Sequence, residues 1–273
     1  MNKQELQKKG KQLREDIIDV CYASSAGHVG GALSSIDILN VLYNYEMNVD
    51  EKNPKMKNRD RFILSKGHIA EGLFVTLADR KFFPKEDLQT YSCFQSKYIG
   101  HPNNKINGIE MNTGALGHGL ALGVGIAIGA KMDDASYRTY VLMGDGEQAE
   151  GSVWEAAMAA SHYQLDNLVA ILDRNQLQIS GTTEDVMSLK DIKGKWQSFG
   201  FHVIEINGHD YEEIMKAFEE AKKVKGKPSL ILANTIKGKG VSFMENEIAW
   251  HHGVMSEEQY VQAKQEVGGV QHG

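Results

Sequence analysis

The chain has 273 residues, of which 41% are hydrophobic, so it is long enough to bury a sizeable core. Its net charge is −6, with 30 Lys and Arg against 36 Asp and Glu, which argues against nucleic-acid binding. The longest apolar stretch, residues 116–130, is too short and too rich in glycine to span a bilayer, and the charged N-terminus lacks an apolar signal segment.

Two cysteines, Cys21 and Cys93, provide neither a disulfide framework nor a cluster of metal ligands. A reducing compartment suits such a chain, and we therefore expect a cytoplasmic protein that binds neither membranes nor nucleic acids.

The N-terminal part of the chain is predicted to be mainly helical. The hydrophobic periodicity predicts an amphipathic helix over residues 3–23. A loop at 24–31 separates it from a second predicted helix at about 34–45. A short strand is predicted at 61–64, directly before the polar segment 65–68.

Strands and helices alternate in the C-terminal part. The predicted strands are 139–143, 167–173, 201–206 and 229–234, and the predicted helices are 152–163 and 211–223. Short apolar strands that alternate with helices indicate a parallel sheet covered on both faces. We therefore predict a single α/β domain over residues 1–273, with a doubly wound, mostly parallel sheet and helices on both faces. Ligands of such folds bind at the carboxyl ends of the strands.

Polar residues follow two of these strands. Gly144-Asp145-Gly146 comes after one strand, and Asn175, 30 positions after Asp145, comes after the next. If these strands are neighbours, Asp145 and Asn175 offer two oxygen ligands to a hard cation such as Mg²⁺, which completes its shell with phosphate and water. Gly146 lets the backbone approach a phosphate, and the start of the following helix favours anions.

The same residues allow two other interpretations. Gly144-Asp145-Gly146 is also an ordinary tight turn, with Asn175 as a loop cap. A dinucleotide-binding fingerprint is disfavoured because the glycine spacing is wrong and no acidic residue ends the next strand in the required way.

Several loop segments carry histidine beside glycine. They are 25–31, 65–68, 100–102, 113–119 and 250–253. A lone histidine is more often a surface or core residue than a catalytic one, but the repetition of this feature indicates a site. Imidazoles titrate near neutral pH and exchange protons with groups such as sugar hydroxyls.

Together these motifs resemble those of transketolases, in order and spacing, from about residue 15 to about residue 255. The family patterns L-S-x-G-H, G-H-P, T-G-x-L-G-x-G and G-D-G-x-x-x-E-G are matched at 64–68, 100–102, 113–119 and 144–151. Two segments depart from the family pattern. Ala26 is inserted before Gly27-His28, and the W-H-G motif has an extra histidine, which leaves open whether His251 or His252 corresponds to the family's residue.

The resemblance implies thiamine diphosphate as cofactor, held through Mg²⁺ or another divalent cation such as Ca²⁺ or Mn²⁺. It assigns the metal to the side chains of Asp145 and Asn175 and the carbonyl of Leu177. The implied catalytic residues are His28, His68, His101 and His251. The implied cofactor-binding residues are His68, Gly114, Leu116, Gly144, Asp145, Gly146, Glu150, Asn175, Ile179 and His251.

Some of these roles are more specific. The resemblance puts Leu116 near the pyrimidine and Ile179 near the thiazolium ring of the cofactor. It places Glu150 at a subunit interface, in an acidic network, although Glu150 is also suited to favour the dipole at a helix N-terminus.

The implied reaction moves a two-carbon ketol group from a ketose phosphate to an aldose phosphate. The family's pyrimidine-binding and C-terminal domains are expected on a partner chain, a C-terminal transketolase subunit, in a heterotetramer of two copies of each chain. Two alternatives remain open: a related enzyme for an unusual sugar phosphate, and a non-catalytic cofactor-binding subunit.

Overall fold

The fold is organised around one five-stranded sheet. The computed structural model describes residues 1–268, and its strands are β1 (Arg61–Leu64), β2 (Thr139–Gly144), β3 (Leu168–Arg174), β4 (His202–Asn207) and β5 (Ser229–Asn234). Their order across the sheet is β1-β2-β3-β5-β4, and every pairing is parallel. The predicted parallel sheet is therefore confirmed.

Helices cover both faces of this sheet. They are α1 (Lys3–Ser24), α2 (Val29–Val41), α3 (Ala70–Asp79), α4 (Gly119–Met132), α5 (Gly151–His162), α6 (Thr183–Met187), α7 (Ile192–Ser198), α8 (Tyr211–Lys223) and α9 (Glu257–Gly268). Alternate residues of β2 belong to separate cores: Tyr140 and Leu142 pack with α1, α2, α3 and α8, whereas Val141 and Met143 pack with α4, α5 and α7. The two cores confirm the predicted doubly wound arrangement.

Two predictions about the N-terminal part were wrong, and glycines explain both. α2 begins at Val29, inside the predicted loop 24–31, and α4 was not predicted at all. Glycine-rich sequence indicates a loop, but here glycines let helices approach their neighbours closely. A Cβ at Gly30 would lie 2.5 Å from the carbonyl oxygen of Trp250, and one at Gly123 would lie 2.5 Å from Cγ2 of Val141.

The sheet register brings the polar motifs together. Gly144 at the end of β2 is paired with Asp173 of β3, so the loops that follow these strands leave the sheet side by side. α5 is the crossover between the two strands. The edge formed by the carboxyl ends of β1, β2 and β3 therefore carries Asp145 and Asn175 together. No helix within residues 1–268 combines the length and hydropathy needed to cross a membrane.

Candidate cofactor site

A cavity of about 400 Å³ opens at the carboxyl ends of the strands. It brings together most of the residues predicted from the sequence: His28, His68, Gly114, Leu116, Gly144, Asp145, Gly146, Asn175, Leu177, Ile179 and His251. Lys66, Glu147, Gln178 and Lys237 also line it and were not predicted as site residues. Segments that are far apart in the sequence thus converge on one pocket.

Asp145 is fixed by backbone donors from two loops. Its side chain is buried, and its Oδ1 accepts a hydrogen bond of 2.8 Å from the backbone N–H of Gly146. Its Oδ2 accepts a bond of 2.6 Å from the backbone N–H of Gln176, which follows Asn175. Burial and the neighbouring Asp173 raise the pKa of Asp145 to about 6. A cation beside this carboxylate would relieve the electrostatic cost of its ionisation.

Asn175 is held in the same loop. Its Oδ1 accepts a bond of 3.2 Å from the backbone N–H of Leu177, and its Nδ2 donates to Oγ of Ser34 at 3.2 Å. Because Asp145 is bonded to the residue that follows Asn175, the two loops that carry these side chains are joined by a hydrogen bond. Their juxtaposition at one cavity wall is the arrangement that a shared cation requires.

The donor set at this turn suits a hard cation only in combination with a ligand. Within residues 1–268, no three His, Cys, Asp or Glu side chains are grouped so as to hold a metal ion. The turn offers instead one carboxylate, one amide oxygen and the Leu177 carbonyl. Magnesium takes about six oxygens and readily accepts phosphate oxygens and water among them. The residues therefore fit a metal that tethers a diphosphate.

A buried ion pair lies behind the metal-binding turn. Asp173, at the end of β3, accepts hydrogen bonds from Ser34, Ser35 and Thr235 and forms an ion pair with Lys66. Burial opposes the ionisation of Asp173, but Lys66 and the hydroxyl donors bring its pKa below the usual range. This network fixes the end of β3 from which the Asn175 turn departs.

Lys237 contributes a second buried cation. It is 2% exposed, and its Nζ lies 2.8 Å from Nδ1 of His251. No ion pair joins it to a carboxylate in the part of the chain that the structure describes. Burial, together with the charge of Lys66, lowers the pKa of Lys237 to about 8. An anion in the cavity would supply the missing counter-charge.

Three histidine rings that line the cavity lie close to one another. The His28 ring centroid lies 5.0 Å from that of His68 and 5.4 Å from that of His251. Burial is the main cause that lowers their pKa values, to about 4, 2 and 3 for His28, His68 and His251. The rings are therefore neutral near pH 7 and can both donate and accept hydrogen bonds.

The two adjacent histidines differ in position. His251 lines the cavity, whereas His252 does not, although its ring centroid lies 4.9 Å from that of His28. The choice of His251 over His252 as the family's residue is favoured by this placement.

Two of the predicted residues lie outside the cavity wall. His101 is exposed, but its ring packs against Gly114, where a Cβ would meet Cδ2 of His101 at 2.7 Å. Glu150 is exposed and precedes the first residue of α5. His101 thus lies at the rim near Gly114, and Glu150 faces the outside of the molecule, where a subunit interface remains a prediction.

Glu147, rather than Glu150, is the glutamate of this motif that lines the cavity. It is buried and accepts hydrogen bonds from the backbone N–H groups of Gly117 and Gly144, at 2.8 and 3.0 Å, and from the hydroxyl of Ser65. It therefore ties together three of the loops that carry the predicted motifs, those of Ser65, Gly117 and Gly144. Its position one residue after Gly146 was the only sequence signal for this role.

The cavity is surrounded by polar atoms that have no protein partner. Nε2 of Gln178 is buried without a hydrogen bond among the described residues, and so are Nδ1 of His28 and Oγ1 of Thr113. Buried donors and acceptors of this kind are rare and costly unless a ligand or water satisfies them. Gln178 also closes over Gly146, where a Cβ would lie 3.0 Å from its Cγ.

Known proteins similar to this chain include transketolases and their subunits. The family model "Transketolase, thiamine diphosphate binding domain" matches residues 5–272. The chain is 51% identical to a protein of Phocaeicola vulgatus named as a subunit of apulose-4-phosphate transketolase, over 98% of this chain and 95% of the relative. It is 41% identical to 6-deoxy-6-sulfo-D-fructose transketolase subunit SqwG of a Clostridium species, over 96% of each chain.

Solved structures agree in fold. Transketolase from Campylobacter jejuni superposes with a TM-score of 0.93 and 36% sequence identity, covering 98% of this chain and 43% of that chain. The chain therefore belongs to the transketolase family and corresponds to that family's N-terminal, thiamine diphosphate-binding part.

Proposed function

We propose that the chain binds the diphosphate end of thiamine diphosphate through a divalent cation such as Mg²⁺, and that a partner subunit completes the transketolase. The hydrogen bond by which Asp145 joins its own loop to the loop of Asn175 carries this proposal. The assembled enzyme would move a two-carbon ketol group from a ketose phosphate to an aldose phosphate.

The cation would be held by the side chains of Asp145 and Asn175 and by the carbonyl of Leu177. Lys237, a buried cation that forms no ion pair with a carboxylate of residues 1–268, would offset the negative charge of the diphosphate. The bound cofactor supplies a carbon nucleophile and stores the electrons of the cleaved bond. This chain's contribution at that end is to bind and orient.

The neutral histidines would act on the substrate's hydroxyls. His28, His68 and His251 form one ring cluster at the cavity wall, with His101 near the rim. A neutral imidazole near a sugar hydroxyl can accept the hydroxyl proton, becoming an imidazolium, and later return that proton to the substrate. We assign to this cluster the positioning of the sugar and the movement of its protons.

An exposed apolar face supports a protein partner. Met132 at the end of α4 is 80% exposed, and a Cβ at Gly125 or Gly129 would meet no atom within 4 Å. Met158 and Tyr163, at the neighbouring α5, are each 55% exposed. Relatives of similar length are named as transketolase subunits, which implies a second chain. The occupant of this face would be the chain that carries the rest of a transketolase, in an assembly of two copies of each.

The proposed function leaves two classes of donor substrate as candidates. Two similar proteins are named for apulose 4-phosphate and for 6-deoxy-6-sulfo-D-fructose, so an unusual sugar phosphate is a second candidate donor beside the common ketose phosphates. A screen of the reconstituted pair over these sugars would distinguish the two candidates by the ratio of kcat/KM values.

Calorimetry tests the cofactor proposal directly. Thiamine diphosphate titrated into the chain with its partner should bind in the presence of Mg²⁺, and Asp145→Ala should weaken that binding about 100-fold or more, because one charged ligand is lost. Glu212→Ala, which removes an exposed carboxylate of α8, is the matched control and should bind normally. Unchanged affinity in the Asp145 variant would reject the metal site.

A further inference from the structure

A buried glutamate lies directly beneath the histidine cluster. Glu71, in the first turn of α3, is 0% exposed and follows His68 by three residues. Its Oε1 accepts a hydrogen bond of 2.6 Å from the backbone N–H of His28, and its Oε2 accepts one of 3.0 Å from the hydroxyl of Tyr91. One carboxylate thus connects the segment of His68 with the loop of His28.

The loop that Glu71 holds has an unusual backbone. Ser25 and Gly27 have φ values of 48° and 124°, and His28 precedes α2 without a side-chain cap. A Cβ at Gly27 would lie 2.7 Å from Sγ of Cys21 and 3.4 Å from Oε1 of Glu71. The loop also contains Ala26, the residue that departs from the family pattern. A strained loop of this kind keeps its conformation only where its surroundings fix it.

The position of the His28 ring is set by its own backbone together with a hydrogen bond to the backbone of His68. Nδ1 of His28 is buried and has no hydrogen-bond partner among the described residues. The Glu71 bond to the His28 backbone is therefore a contact that can set where the ring lies relative to His68, whose centroid is 5.0 Å away.

We propose that Glu71 is a positioning residue, whose carboxylate holds the His28 loop and thereby sets the spacing of the His28 and His68 imidazoles for proton transfer to the sugar. The catalytic part of this inference rests on the proposed transketolase function, whereas the hydrogen bond between Glu71 and His28 does not.

The charge of Glu71 matters to this role. Groups that face it are Cys21 of α1, the His28 backbone and the Tyr91 hydroxyl, with Lys66 acting at longer range. Burial raises the pKa of Glu71 to about 7, against which the two hydrogen bonds and Lys66 act. An ionised carboxylate is the stronger acceptor for the His28 amide, so protonation weakens the hold on the loop.

Nuclear magnetic resonance of the full chain tests the hydrogen bond without requiring activity. With ¹⁵N-histidine labelling, the 10 histidine amides are observed selectively, and the His28 signal is the one lost in His28→Gln. Its proton should lie downfield and move as the pH crosses about 7. In Glu71→Gln it should move upfield and cease to titrate in that range.

Glu46→Gln is the matched control for this measurement. Glu46 is also a buried carboxylate bonded to a tyrosine hydroxyl, that of Tyr140 at 2.7 Å, but it lies after α2, away from the cavity. Its replacement should leave the His28 amide unchanged. An His28 amide that is the same in Glu71→Gln as in the unaltered chain would overturn the proposal.

Kinetics of the reconstituted pair test the positioning role. Glu71→Ala should lower kcat about 10- to 100-fold with a smaller change in KM, because a charge-assisted hydrogen bond to the loop is lost. Glu71→Gln, which keeps an acceptor for the His28 amide, should recover most of kcat and lose the pH dependence near 7. Glu46→Gln should retain full activity.

The outcomes separate the two claims. A kcat for Glu71→Ala equal to that of the unaltered pair, with the protein folded, would overturn the positioning role. If Glu71→Ala does not fold, the pH profile of Glu71→Gln decides, and an unchanged profile counts against the proposal. A pair inactive on every sugar tested would reject the transketolase function, while the amide measurement would still decide whether Glu71 holds His28.

Discussion

The two ends of the cavity are built in different ways. At the end of the cavity proposed to hold the metal, called the metal end, Asp145 and Asn175 accept hydrogen bonds from backbone N–H groups of the two loops that follow β2 and β3. At the histidine end, the rings of His28, His68 and His251 come from distant segments and chiefly contact one another. Local backbone geometry prepares one end, whereas tertiary packing and supporting residues prepare the other.

This difference has a chemical consequence. The metal end keeps charged groups buried, with Asp173 paired to Lys66, and so presents a fixed arrangement to a cation and a diphosphate. The histidine end keeps its rings neutral through burial, which leaves their nitrogens available to a polyhydroxylated substrate. In the proposed function, binding and proton movement would thus be separated within one cavity.

The largest expected effect concerns the stability of the metal end. Asp173→Asn would leave Lys66 as an unpaired buried charge, which should lower the free energy of unfolding by about 3–5 kcal/mol. Urea denaturation measures this. Glu205→Gln, which breaks an exposed pair with Lys193, is the control and should change stability by at most about 1 kcal/mol. A loss of equal size in both variants would show that the metal end is not specially dependent on its buried pair.

A pH-dependent effect is expected at the histidine end. The pKa of Glu71 is raised from 4.5 to about 7 in the folded chain, so its contribution to stability is present below pH 4.5 and is lost as the pH rises through about 7. This loss amounts to about 3 kcal/mol. Glu71→Gln should remove that part of the pH dependence and so gain relative stability at pH 8 compared with pH 4.

Urea denaturation at pH 4 and pH 8 checks the Glu71 prediction. Both proteins must first be shown to be folded at each pH. The free energy of unfolding of the unaltered chain is compared with that of Glu71→Gln at each pH. If the difference between the two proteins is the same at pH 4 and pH 8, the raised pKa of the buried carboxyl is contradicted.

The smallest expected effect concerns Lys237, which contacts His251 and is proposed to bind the diphosphate. Lys237→Met should weaken diphosphate binding about tenfold, because a buried positive charge is lost, and should raise the pKa of His251 from about 3 toward its ordinary value. Lys239→Met is the control, since Lys239 is paired with Glu245 on a more exposed surface. Calorimetry measures the diphosphate affinity, and the histidine ring resonances report the pKa of His251. If neither changes in Lys237→Met, Lys237 does not bind the diphosphate as proposed.

The convergence of Asp145 and Asn175 could be predicted from the sequence better than the rest of the cavity could. Asp145 and Asn175 follow successive strands, and parallel pairing of β2 with β3 was enough to bring them together. Lys237 and Glu71 were missed as site residues because nothing in their local sequence indicates burial or convergence. Their roles arise from contacts with His251 and His28, which lie 14 and 43 positions away.

Glycine limited the prediction of the fold in a similar way. The strand alternation in the C-terminal part was sufficient for β2, β3, β4 and β5, but Gly30 and Gly123 lie within helices that pack closely on their neighbours. Close packing between a helix and its neighbour is a tertiary feature that the local sequence does not show. From the sequence alone, a glycine-rich segment therefore indicates a loop.

The shared cation can be observed most directly by replacing Mg²⁺ with Mn²⁺ in the reconstituted complex and measuring ³¹P hyperfine coupling by electron–nuclear double resonance. The account predicts phosphorus coupling to the manganese when thiamine diphosphate is bound, and its loss in both Asp145→Ala and Asn175→Ala. Coupling that persists unchanged in either variant would show that these two side chains do not hold the metal.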